Sequence, residues 1–396
     1  MTRFFVSGMF RSGTTAVARA LNAHPRVACA SDPMAELFKS FRSDVAREAG
    51  LKVPVMEHLS DYYHDPAGQV LFQNITQLSS WSMPFEAWTR PELLAKLEAR
   101  VKTYCGALLP YLKKVNGETY KEIFESLQTS IEEAYGSNNT EAVGFKEVWC
   151  GEFVPVLARE YPDMKFVFLV RDPRAVCASK KMQVEQYPWT FLARQWRKLA
   201  SIQHLLAEDK DLGSRVLSLK YEDFISEPVL TMRRLCAFIG VSYHPDVADP
   251  SKYKDGNGKA WVQNTSYGHG GQTLDIEAVQ RWRDVLTDRE IALIERMCGP
   301  EMSLFGYEVE TSREVLSDPE LICNPPRVPD KSLAKWMAGF VPNDPAAIAT
   351  QVAADGVRDN LLLLPATKRV GVPEDVVKSA FLSRQVLDAL GVPHRD

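Results

Sequence analysis

Eight residues near the start, Gly8-Met9-Phe10-Arg11-Ser12-Gly13-Thr14-Thr15, have the types and spacing to grip a phosphate. Glycines let backbone approach an anion closely, and free N–H groups at a following helix start would point at it. A loop that binds a nucleoside triphosphate carries lysine after the second glycine. Thr14 stands there instead, and the only cation within the loop is Arg11. The pattern predicts a site for a phosphorylated nucleotide and argues against γ-phosphoryl transfer from Mg-ATP. A second anion site is read at Arg171-Asp172-Pro173-Arg174, with Ser179 two helical turns on. The planar fork of Arg171 suits a phosphate, and Ser179 supplies a hydroxyl. Alone, this stretch reads more plainly as an Asp172 cap with a surface ion pair. Together with the upstream loop, the phosphate reading is preferred.

These groups need a frame to bring them together. Residues 3–7 read as a buried strand, and 14–24 as a helix stopped by Pro25. Residues 33–140 read mostly helical, over 34–49, 91–115 and 121–134, with aromatic clusters between. That insertion is the natural place for an acceptor pocket. Strands are expected at 142–145, 165–170 and 215–219, and helices at 152–160, 229–239, 275–286 and 288–297. The apolar run 165–170 suits a strand covered on both faces. Asp172 and Pro173 predict a capped helix start. Strands alternating with helices predict an α/β fold: a P-loop three-layer α/β/α domain around a central parallel sheet. The expected domain covers 1–310. A proline-rich stretch at 317–330 leads into a mostly helical extension, 311–396, with its best helix at 374–390.

The whole 396-residue chain is 45% hydrophobic and 25% charged with a formal net charge of −4. That balance gives no electrostatic reason to expect nucleic-acid binding. Seven scattered cysteines with no C-x-x-C pair exclude the usual zinc spacing, so no metal is expected. An odd cysteine set and no signal-peptide layout predict a cytoplasmic protein. No apolar run approaches the ~20 residues of a membrane span.

The loop and the Arg171/Ser179 pair together resemble the sulfotransferase superfamily, over roughly residues 3–310. The spacing is similar to the tyrosylprotein and bacterial glycan-type branch: Arg-Ser-Gly-Thr-Thr, then His24-Pro25, then an acidic residue. The resemblance implies transfer of a sulfuryl group from 3′-phosphoadenosine 5′-phosphosulfate to an acceptor hydroxyl, releasing adenosine 3′,5′-bisphosphate. It implies that Arg11, Ser12, Gly13, Thr14 and Thr15 hold the 5′-phosphosulfate and that Arg171 and Ser179 hold the 3′-phosphate. Tyr221 would contact adenine, and Arg281 would lie on the 3′-phosphate side. Asp32 takes the place of the branch's catalytic glutamate, with one methylene less reach. Lys146 and Ser266 match groups near the transferring sulfuryl, and Arg11 fits beside the bridging oxygen.

Competing readings come from the same residues. Asp32-Pro33 is also a helix-cap signal, Glu36 and His269 are rival bases, and Lys146 reads equally as a surface ion pair. Tyr221 is as readily a packing residue. A further family arginine falls at Gln183, where Lys180 or Lys181 would substitute. The expected acceptor is a sugar, a small alcohol or phenol, or a tyrosine, with a sugar or small molecule preferred over protein. A homodimer is compatible. The alternatives are a P-loop kinase of small molecules and an inactive relative that only binds nucleotide.

Overall fold

The computed structural model describes residues 1–51, 66–86, 90–179, 189–262, 274, 276–318, 320–321 and 345–388. The chain divides into two compact units. The first comprises residues 1–55, 73–171 and 206–276, and the second 56–72, 172–205 and 277–396.

The first unit holds a five-stranded sheet: β1 (Thr2–Gly8), β2 (Val27–Ser31), β3 (Ala142–Lys146), β4 (Lys165–Val170) and β5 (Val216–Lys220). The order is β2-β3-β1-β4-β5, and every pairing is parallel. Consecutive residues of β1 and β4, such as Phe4-Phe5-Val6 and Phe166 to Val170, are all buried. Both faces of the sheet are therefore covered, which is why these strands read as continuous apolar runs. On one face Phe5 and Phe145 stack at 4.6 Å, and Phe38 and Phe124 pack against Phe145. The expected α/β fold with a central parallel sheet is what the structure contains.

Helix α1 (Thr14–Asn22) follows the loop directly. The helical insertion between β2 and β3 contains α2 (Ala35–Glu48), α3 (Pro66–Gln73), α4 (Arg90–Tyr104) and α5 (Tyr120–Tyr135). A Thr119/Glu122 capping box starts α5. The single helix expected over 91–115 is two pieces. α4 ends at Tyr104, and a 3-10 segment, Gly106–Lys114, takes over. Gly106 abuts the Asn257 side chain so closely that a Cβ there would lie 2.2 Å from its oxygen.

The second unit is helical among the described residues. It includes α6 (Pro173–Cys177), most of α7 (Trp189–Glu208), α8 (Asp288–Leu304) and, in the tail, α9 (Pro345–Leu363), α10 (Glu374–Phe381) and α11 (Arg384–Asp388). Leu361, Val377, Phe381, Val386 and Leu387 form its tail core. The helix expected over 374–390 is broken at Leu382, whose φ is +59°. The expected stretch 275–286 is a 3-10 turn, Ile276–Val279, and one short helix, Trp282–Val285. The mostly helical C-terminal region is as expected.

Candidate active site

The carboxyl ends of all five strands carry the candidate groups of the first unit. β1 ends at Gly8, and the chain turns through Arg11 (φ +69°) and Gly13 (φ +84°) into α1. Gly13 has two reasons to be glycine. Its φ is left-handed, and a Cβ there would sit 2.3 Å from the Tyr221 ring. The α1 ladder begins with Val17 N–H on the Gly13 carbonyl, 3.2 Å. The first-turn N–H groups ahead of it are those a helix offers to an anion. Ser12 and Thr14 are buried, and Thr15 is partly open.

Arg171 leaves the end of β4 and closes over this loop. One of its Nη atoms donates to the Arg11 carbonyl at 3.0 Å, and the guanidinium stacks on Tyr221 at 4.4 Å. The Tyr221 ring thus lies against Gly13 on one side and Arg171 on another. Arg11, Gly13, Arg171 and Tyr221, widely separated in sequence, form one cluster.

A second cluster sits at the neighbouring strand ends. Asp32 follows β2 in a left-handed conformation, φ +57°, and its N–H donates to the Lys146 carbonyl at 2.7 Å. The Asp32 carboxylate pairs with the Lys146 ammonium, and its other oxygen lies 3.7 Å from Arg100 of α4. Arg100 also pairs with Glu147. Glu147 is fully buried and accepts from the Met34 N–H at 2.8 Å. Burial pushes the Glu147 carboxyl up to about 7, with Arg100 pulling down and Asp32 pushing up.

Two readings from sequence are corrected here. Asp32 does not cap α2: the backbone N–H at that helix start is taken by Glu147. Lys146 is not a surface ion pair but a buried one, 2% exposed. Glu36, the rival base, pairs with Lys39 at 2.8 Å. His24 is structural: burial lowers its pKa, Nδ1 accepts from Arg26, and Nε2 bonds the Ser242 carbonyl at 2.7 Å.

Ser179 and Arg281 belong to the second unit. Ser179 is buried just beyond α6, and Arg281 lies 3.5 Å from Glu277. The α6 start is the expected cap, with Asp172 accepting from the Arg174 N–H at 2.8 Å. Ser266, His269, Gln183, Lys180 and Lys181 lie outside the described residues. Arg100 and Glu147 were not expected at all. A charge on the α4 stripe that buries Leu93, Leu97 and Val101 was the available signal.

The family model for sulfotransferases matches residues 3–245, more than half the chain. The chain belongs to the sulfotransferase family. It is similar to carbohydrate sulfotransferase 3 of Tetronarce californica, 25% identical over 199 residues, covering 42% of this chain and 41% of that one. Human carbohydrate sulfotransferase 5 is 26% identical over 207 residues, covering 44% of this chain and 48% of that one. The match therefore spans less than half the length of these relatives. Among solved structures, a sulfotransferase domain from the Synechococcus PCC 7002 olefin synthase aligns over 78% of this chain and 94% of that one. Its identity is 19% and its TM-score 0.45. Among the described residues, no helix is long and apolar enough to cross a membrane.

Proposed function

We propose that this sulfotransferase-family chain moves a sulfuryl group from 3′-phosphoadenosine 5′-phosphosulfate to a hydroxyl of a sugar or small-molecule acceptor. The observation that carries the reading is a lysine-free phosphate loop whose neighbouring strand ends hold a buried Lys146–Asp32 pair. The donor has one 5′-phosphate and no triphosphate for Mg²⁺ to bridge, so a Walker lysine has no task. The loop N–H groups and Arg11 would receive the phosphosulfate end. Arg171 and Tyr221, which already enclose Gly13, would hold the nucleoside side.

Catalysis then rests on placement and charge. Asp32 takes the acceptor proton as the acceptor oxygen attacks sulfur. The sulfur–oxygen bond to the 5′-phosphate breaks, and Arg11 meets the charge that grows on that bridging oxygen. Lys146 is the cation nearest the base and stabilises the sulfuryl oxygens in transit. The likeness to carbohydrate sulfotransferases supports a sugar acceptor. A reducing compartment such as the cytoplasm is proposed as its site of action, consistent with the free cysteines at 29, 105, 150, 177, 236 and 298.

The test incubates the protein, without Mg²⁺, with sulfur-labelled donor and a panel of sugars, phenols and acidic peptides. A parallel reaction supplies Mg²⁺ and ATP labelled in the γ-phosphate. Labelled sugar or alcohol with no phosphate transfer is expected. Phosphate transfer would establish the kinase instead. Tight binding of adenosine 3′,5′-bisphosphate with no turnover on any acceptor would mark an inactive relative.

A further inference from the structure

Asp32 is held by more than Lys146. Four side chains from three parts of the first unit form one continuous chain of charge. It runs Lys146, Asp32, Arg100, Glu147. Glu147 is the buried end, with no exposed surface and one oxygen already committed to the Met34 N–H. That same hydrogen bond ties it to the segment just after Asp32. The other oxygen pulls one guanidinium nitrogen of Arg100. The Asp32 oxygen lies 3.7 Å from that nitrogen, outside hydrogen-bond range. Arg100 therefore serves two carboxylates unequally: it is bonded to the buried one and only near the candidate base.

We propose that Arg100 and Glu147 are positioning residues: Glu147 draws Arg100 off Asp32, so the base keeps an oxygen free to accept the acceptor's proton. This rests on the reading of Asp32 as the base. Protonated Glu147 is a poor partner for a guanidinium, so Arg100 would then turn its full charge to Asp32. A base bound on one side by Lys146 and on the other by Arg100 has both oxygens occupied and takes a proton poorly. The groups that face this network are Tyr104 from α4, Cys29 from β2, Cys105 and Cys150, with Arg19 from α1 and Glu152 acting on those thiols. Burial raises the three thiols well above the ordinary range and keeps them neutral, so they do not compete for Arg100.

The test compares wild type with Glu147→Gln, which imitates the protonated carboxyl at every pH. Wild-type kcat should rise in a step near pH 7. In Glu147→Gln that step should be absent. Its kcat at pH 8 should be lower by about tenfold, short of the ~10²-fold that a 1 Å misplacement can cost. The donor's KM should be unchanged. A residue that only supports the fold would lower the yield of folded protein and leave the pH step in place, and that result overturns the proposal. A second measurement needs no turnover: carboxyl ¹³C titration of Glu147 in the full chain. Its midpoint should fall in Asp32→Asn and rise in Arg100→Met, with Arg100→Lys restoring it. A midpoint that ignores Asp32→Asn removes the coupling and the proposal with it. If wild type transfers no sulfuryl group, the reading of the reaction falls instead, and the titrations alone decide whether the four groups act as one unit.

Discussion

Each unit buries a carboxylate against arginine, and the two arrangements are opposites. In the first unit one guanidinium, Arg100, stands between two acids, Glu147 and Asp32. In the second, one acid, Asp355 of α9, receives two guanidiniums, Arg194 and Arg197 of α7, at short range. Burial pushes both carboxyls up. For Glu147 burial wins and the group reaches about 7. For Asp355, Arg197 and Arg194 overcome burial and hold it well below the usual carboxylate range. Glu147 is fully buried and shares one bonded guanidinium with Asp32, whereas Asp355 is one-fifth exposed and has two to itself, so burial wins in the first case and the arginines in the second. An under-neutralised acid is poised to change state near neutral pH, while an over-neutralised one is locked.

The largest expected effect tests the poised cluster. Asp32→Asn should lower turnover by roughly 10²–10⁴-fold, the range for a removed general base. Binding of adenosine 3′,5′-bisphosphate, followed by calorimetry, should be spared. Its stability should fall moderately, because Asn keeps an acceptor for Lys146 but takes away the counter-charge of that buried ammonium, a loss offset in part by relief of Glu147. If Asp32→Asn melts the protein and leaves turnover per folded molecule intact, the first cluster is a lock like the second.

Next in size is Asp355→Ala. It removes the carboxylate that Arg194 and Arg197 share, and Arg197 is 1% exposed. The loss should be about 3 kcal/mol in denaturant unfolding, at the lower end for breaking a buried pair because Asp355 is one-fifth exposed. Turnover per folded molecule should hold. A loss of turnover at unchanged stability would give the second cluster a part in the chemistry and erase the contrast.

Much of the frame was legible in the sequence, and the failures have physical causes. β4 was readable because Phe166 to Val170 are all buried, and the capped start of α6 because Asp172 and Pro173 act locally. β2 was not readable. Ala28, Cys29, Ala30 and Ser31 have weak strand preference, and only pairing with β3 makes them a strand. The break after α4 falls at Gly106, against the Asn257 side chain, and Pro110 four residues on lacks the N–H that a continued helix would give the Gly106 carbonyl; both local signals were passed over. Arg11, Arg171 and Tyr221 were found because each belongs to a motif. Arg100 and Glu147 were missed because they belong to none. Their partners stand 47 residues apart in the chain, and only the converging strand and helix ends make them neighbours.

The smallest effect is the one that reads the sign of both clusters in a single measurement. A carboxyl depressed in the folded state, as Asp355 is, adds stability above its unfolded value of ~3.9. That stability is lost as pH falls through the lower folded value. Glu147 works the other way. Between ~4.3, where the unfolded group titrates, and about 7, the folded chain keeps a proton that the unfolded chain has shed. Stability should therefore fall as pH rises across that window. Measured by denaturant unfolding, wild type should lose about 2–3 kcal/mol relative to Glu147→Gln between pH 5 and pH 8. Asp355→Asn should show no difference from wild type in slope over that range and a shallower loss below pH 4. Should Glu147→Gln run parallel to wild type from pH 5 to 8, Glu147 is already charged in the folded state at pH 5. One guanidinium shared with Asp32 would then hold Glu147 ionised as two hold Asp355, and the sharing would not set the sign.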